Sequence, residues 1–147
     1  MNANALSICD YLSEKSIHFF PTGISKDDIF FKLISVLPVD HRSALQAVLE
    51  REKAGGTVVD SAIAIPHARL KGLKTIELAV GVQNEAPQDQ PRLFFLFLSP
   101  KENTKIHLLF LSSLSSLLQT DGFTENLLQS KATHEVVRII RQIEKGL

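Results

Sequence analysis

The run Leu93-Phe94-Phe95-Leu96-Phe97-Leu98 is apolar at every position, and this stretch constrains the fold more than any other. Successive side chains of a strand point to opposite faces, so a strand that is apolar throughout has two faces to bury. A sheet built around it needs helices on both sides. Ala62 to Ile65 and Ile76 to Val82 are the other short strand patterns, the second alternating Ile76, Leu78, Val80 and Val82 with smaller or polar residues.

The rest of the chain supplies the helices. Ser25 stands before Lys26-Asp27-Asp28 as an N-cap with an acidic first turn, and Ile29, Leu33, Ile34 and Leu37 follow at helical spacing up to Pro38. Asp40 is the expected cap of a second helix, with Leu45, Val48 and Leu49 facing inward and Gly55-Gly56 as its stop. Thr104 opens a long helix through Leu118, Gly122 breaks it, and two more stretches run from about Phe123 to Ser130 and from Thr133 to Glu144. The pattern is that of an α/β sandwich.

With 147 residues, 44% of them hydrophobic, the chain is long enough to bury about 68–70% of its unfolded surface without disulfides. Its one cysteine, Cys9, has no internal partner, which fits a reducing, cytoplasmic setting. The 16 Lys+Arg balance 16 Asp+Glu, so the long-range attraction that drives binding to nucleic acid is missing and no nucleic-acid partner is expected. Met1 to Tyr11 has neither the basic start nor the apolar core of an export signal. Leu93 to Leu98 and Ile106 to Leu118 are shorter than the roughly 20 residues of a spanning helix, so no membrane insertion is expected. No linker tract, fixed-period repeat or like-charge block divides the chain, which reads as a single domain over 1–147.

Five histidines are the natural carriers of chemistry. His67 follows Pro66 at the end of the run Ala62-Ile63-Ala64-Ile65, where a buried strand is expected to stop and the proline fixes the approaching backbone. His107 lies in the first turn of the Thr104 helix, where the dipole disfavours imidazolium and an anion is attracted, so it is expected to be a neutral hydrogen-bond donor. Each also has a plain structural reading, as a hydrogen-bonded strand-end residue and a helix-terminus packing residue. His18 reads as a strand residue, His41 as a first-turn surface residue and His134 as an exposed position near a helix start. The chain has no GxSxG, GxxxxGK[ST], HExxH or CxxC pattern, and His67 and His107 alone fall short of a zinc ligand set, so no metal site is expected. Ser112, Ser113, Ser115 and Ser116 read as the polar stripe of an apolar helix rather than as nucleophiles.

The segment Arg51-Glu52-Lys53-Ala54-Gly55-Gly56-Thr57, taken with Ile63-Ala64-Ile65-Pro66-His67-Ala68-Arg69, resembles the phosphorylation-site signature of the IIA (EIIA) components of the bacterial phosphoenolpyruvate-dependent phosphotransferase system. The mannitol/fructose/nitrogen-regulatory branch is the match, its nitrogen-regulatory members most of all. The resemblance continues through Leu93 to Pro100, His107 to Leu118 and Phe123 to Ile140. It implies an α/β fold with a central mixed sheet flanked by helices. It also implies that His67 accepts a phosphoryl group from the phosphohistidine of HPr or a nitrogen-branch counterpart, that His107 donates a hydrogen bond to that group, and that Arg51 anchors it. Arg69 is a weaker candidate, equally readable as a solvated surface charge. No cofactor is implied. The partners implied beyond the carrier are a IIB protein with an acceptor cysteine, or regulatory targets such as a sensor kinase or a potassium transporter. Cys9 lacks the positive surroundings of a phosphate-accepting thiolate, which leans the reading toward regulation over sugar transport.

One departure stands out. Where relatives carry a glycine-rich turn, this chain reads Val58-Val59-Asp60-Ser61-Ala62. β-Branched residues resist positive φ, and Asp60 brings a negative charge toward a site meant for an anion. A IIA-shaped binding module without phosphorylation is therefore a further alternative.

Overall fold

The computed structural model describes residues 5–85, 87 and 89–147, so the first four residues of the polar N-terminal stretch lie outside it. The apolar run forms β6 (Leu93–Pro100), and all eight of its residues are buried. β5 (Glu77–Val82) lies antiparallel on one side of it, with Val80 opposite Phe95, and β1 (Ile17–Phe19) continues the sheet parallel to β5. On the other side, β3 (Ile63–Ala64) and β4 (His67–Leu70) both run parallel to β6, and β2 (Val58–Val59) pairs antiparallel with β3. The result is a six-stranded mixed sheet.

Alternation along β6 divides the core in two. Leu93, Phe95 and Phe97 pack with Leu78, Val80 and Val82 against α3 (Thr104–Leu118), α4 (Phe123–Leu128) and α5 (Thr133–Lys145). Phe94, Leu96 and Leu98 point the other way, onto α1 (Lys26–Ser35) and α2 (His41–Lys53) through Ile29, Phe30, Leu33, Ile34, Ala44 and Val48. Fully burying a side chain such as Phe95 or Phe97 is worth about 1.5–3 kcal/mol, so a polar residue introduced in this run would cost more than one surface contact returns. The helices cover both faces, as the β6 pattern demands.

Helix starts follow the sequence with one correction. The Ser25 hydroxyl accepts from the Asp28 N–H at 3.1 Å, whereas the Asp40 carboxylate caps no helix N–H and instead accepts from the Ser43 hydroxyl. Asn103, given no role by the sequence pattern, caps α3 by accepting from the Ile106 N–H at 3.1 Å.

A second correction concerns His67. The strand does not stop at Ile65: Ile63 pairs with Leu93 and His67 with Phe97, so β3 and β4 keep one register along β6 across Ile65-Pro66. Pro66 has no N–H to give, but among the described residues β4 pairs with β6 alone, and the Pro66 carbonyl accepts from Phe97 N–H at 3.1 Å. An edge position tolerates the missing donor.

Candidate functional site

The unbroken register fixes which side chains meet. Ala64 and Ala68 pack in the core beneath α1 and α2, so by alternation His67 and Arg69 lie on the opposite face, the one that α3 crosses. Phe97 and Ser99 of β6 share that face and are the register partners of His67 and Arg69. His107, in the first turns of α3, comes down on the same spot.

His67 is half-buried. Its Nδ1 lies 2.7 Å from the Ile65 carbonyl oxygen, and because a carbonyl only accepts, Nδ1 carries the proton and Nε2 keeps its lone pair. The ring lies flat on Phe97, with centroids 5.1 Å apart and planes 5° from parallel. Burial lowers the His67 pKa from the ordinary histidine value, and the Arg51 charge lowers it further, against the opposing pull of the Ile65 hydrogen bond and Glu52. Both effects favour the neutral imidazole, with its lone pair on Nε2.

His107 sits with its ring centroid 5.8 Å from that of His67 and 5.6 Å from that of Phe97. Its Nδ1 is 2.6 Å from the hydroxyl oxygen of Ser99. Burial, and then the neighbouring His67 and Arg69, lower its pKa. These causes differ from the helix dipole invoked for this residue from the sequence.

The two arginines differ. Arg51, in the last turn of α2, donates from Nη1 to the Gly55 carbonyl at 2.9 Å and is otherwise exposed. Arg69 is half-buried and donates from Nη2 to the Lys101 carbonyl at 2.8 Å and to the Thr104 hydroxyl at 2.7 Å. It is tied to the turn that opens the helix bearing His107, so the solvated-charge reading does not describe it. Glu52, unassigned by sequence reasoning, pairs with Lys26 Nζ at 2.9 Å and accepts from the Thr57 hydroxyl at 2.5 Å, holding the Gly55-Gly56 loop against α1. Phe97 and Ser99 were also missed. The period-two alternation that placed β6 in the core would have put both on the face of His67.

The departing turn spares its β-branched residues. Val58 and Val59 take no positive φ; they form β2, and the left-handed conformation falls on Asp60 (φ 55°) and Ser61 (φ 54°). Aspartate tolerates that region better than most residues. The remaining histidines lie apart from the site. His18 is in β1 stacked on Phe20, His41 starts α2 and donates from Nε2 to the Leu37 carbonyl, and His134 is exposed in α5. Among the described residues no cluster of three or more His, Cys, Asp or Glu is arranged to hold a metal ion, and no helix is long and apolar enough to cross a membrane.

Residues 10–143 match the family described as phosphoenolpyruvate-dependent sugar phosphotransferase system, EIIA 2. The chain belongs to that family. Proteins named as nitrogen regulatory proteins and as fructose-specific EIIA components are similar to it. A nitrogen regulatory protein of Escherichia coli (strain K12) is 34% identical over 106 residues, covering 67% of this chain and 65% of that one. A fructose-specific EIIA component of Haloferax volcanii is 32% identical over 110 residues, 71% of each. A fructose-specific EIIABC component of Bacillus subtilis is 26% identical over 95% of this chain, which spans 24% of that longer protein. Among solved structures, the nitrogen regulatory protein IIA-Ntr of Neisseria meningitidis superposes with a TM-score of 0.79 at 26% identity, covering 90% of this chain and 98% of that one. Mannitol IIA from Escherichia coli has a similar fold, with a TM-score of 0.71 at 20% identity over 88% of this chain and 98% of that one.

Proposed function

We propose that the chain is a phosphohistidine carrier of the phosphotransferase system in which His67 Nε2 attacks the phosphorus of a phosphohistidine on HPr or its nitrogen-branch counterpart. The Nε2 lone pair forms the new N–P bond, the donor's N–P bond breaks, and the bonding pair returns to the donor imidazole. His67 keeps its Nδ1 proton, so the phosphorylated ring is cationic, and the Ile65 carbonyl at 2.7 Å stabilises that charge. A cationic ring is also a good leaving group for onward transfer. In this reading the Arg51 guanidinium and a His107 N–H face the phosphoryl oxygens, and catalysis is chiefly positioning and charge stabilisation. Arg69 acts at one remove, by holding the start of α3.

The observation that carries the proposal is the Nδ1–Ile65 hydrogen bond, because it leaves the lone pair of the neutral ring on Nε2. Leu108, which follows His107 and is 58% exposed, gives a docking carrier an apolar contact. A transient interface below about 1,200 Å² suits a partner that must leave again.

Regulation is the favoured output: the phosphorylation state of His67 selects which protein the chain binds. That reading is supported by the 34% identity to the nitrogen regulatory protein of Escherichia coli (strain K12). Transport is the second reading, favoured by the 32% identity to the fructose-specific EIIA component. Intact-mass analysis after incubation with phosphoenolpyruvate, enzyme I and HPr, or their nitrogen-branch counterparts, tests the carrier role. One acid-labile phosphoryl mass on the native chain and none on His67→Ala is the expected result; no gain with any donor overturns it. Onward transfer to a IIB cysteine would favour transport, and phosphorylation-dependent capture of a kinase or transporter would favour regulation.

A further inference from the structure

We propose that Ser99 is a positioning residue that locks His107 in the tautomer carrying its proton on Nε2, and so aims a fixed N–H donor at the phosphoryl group on His67. The inference rests on the phosphohistidine reading for its consequence, but the geometry behind it stands without that reading. Ser99 lies on β6, on the face that α3 crosses, with no exposed surface. Its hydroxyl is 2.6 Å from His107 Nδ1, and that nitrogen is its one hydrogen-bond partner among the described residues.

Two arrangements fit that distance, and they differ in one proton. If Nδ1–H donated to the serine oxygen, the Ser99 hydroxyl proton would be buried with no acceptor, a loss comparable to a whole hydrogen bond. If Ser99 donates to a bare Nδ1, its buried hydroxyl proton has an acceptor and the His107 proton moves to Nε2. A doubly protonated His107 would leave the same serine proton stranded, while facing the Arg69 charge as well. The second arrangement therefore holds.

The two histidines then have opposite tautomers, each set by a different partner. His67 has Nδ1–H, fixed by the Ile65 carbonyl at 2.7 Å, and a bare Nε2. His107 has a bare Nδ1, fixed by Ser99, and Nε2–H. One ring presents a nucleophile and its neighbour a donor, with no proton to be rearranged when the phosphoryl group arrives. Without the serine hydroxyl, neutral His107 is free to place its proton on either nitrogen, and only one choice donates from Nε2.

Long-range proton–nitrogen NMR of the histidine side chains in the unphosphorylated full chain reads the tautomers directly. Native His107 is expected to be protonated on Nε2, Ser99→Ala to lose that preference, and Ser99→Thr, which keeps the hydroxyl, to regain it. Initial phosphoryl uptake from the phosphorylated carrier should fall about five- to tenfold in Ser99→Ala, the worth of one hydrogen bond, and recover in Ser99→Thr. Native His107 protonated on Nδ1, or a Ser99→Ala chain with an unchanged tautomer, would overturn the proposal. So would a changed tautomer with unchanged uptake. A native chain that takes up no phosphoryl group removes the phosphohistidine reading instead, and the NMR result still decides whether Ser99 governs His107.

Discussion

The His67 imidazole rests on the ring of its register partner Phe97, 5.1 Å between centroids and 5° from parallel. The same phenyl ring is 5.6 Å from His107 and 4.8 Å from Phe110, so one core aromatic is the floor under both site histidines. Phe97→Leu keeps the apolar character but removes the flat support. It should cost about 1–1.5 kcal/mol of stability while slowing phosphoryl uptake well beyond the loss of folded protein. Urea unfolding run beside uptake kinetics separates the two; a rate that falls only with the folded fraction defeats the idea.

Arg51 influences His67 by charge. Arg51→Gln removes a positive neighbour that lowers the His67 pKa, so the His67 titration midpoint should move up toward the ordinary value. Uptake should fall about tenfold, as expected when a charge-assisted contact to a phosphoryl oxygen is lost. NMR titration of His67 checks the first effect independently of the second, and a downward shift would contradict the placement of the guanidinium.

Stability should respond to pH in a set direction. His18, His67 and His107 all have folded-state pKa values lowered from 6.5, with burial the largest cause in each. The unfolded chain therefore binds more protons near and below pH 6.5, and stability falls as the pH drops from there toward the folded-state values. Urea midpoints between pH 8 and pH 5 should show this decline, and it should be shallower in His18→Gln. A midpoint that rises on acidification would reverse the sign and the reading.

Ser61 adopts φ 54° without being glycine, a conformation that L-residues occupy at a cost. Ser61→Gly should stabilise the chain by about 0.5–1 kcal/mol once the extra unfolded-state freedom of glycine is subtracted. Chemical denaturation measures this. Phosphoryl uptake should be unchanged, because the strain sits in the hairpin turn and not in the His67 strand.

Much of this was legible in advance, for physical reasons. A strand apolar on both faces dictates a sheet covered on both sides, so β6 and its flanking helices followed from pattern alone. His67 and His107 were visible because proline and a helix start mark their positions. What stayed hidden depended on pairing. Pro66 read as an end, since a proline inside a strand removes a donor; only the pairing of β4 reveals that no strand among the described residues was waiting for it. Ser99 and Phe97 are ordinary core residues until register sets them opposite Arg69 and His67. The Asp40 cap failed because a competing hydroxyl, Ser43, lies within reach of the same carboxylate.

The shared register of β3 and β4 along β6 makes the candidate site sensitive to the parity of chain length. Deleting or inserting one residue between Ala64 and His67 would exchange inside for outside along the rest of that strand: His67 and Arg69 would turn toward α1 and α2, and Ala68 toward α3. A change of two residues restores the facing but slides the histidine off its aromatic floor. Only substitution leaves His67 in place, so variation among functional descendants of this sequence should be rich in residue exchanges across Ile65-Pro66 and empty of length changes there.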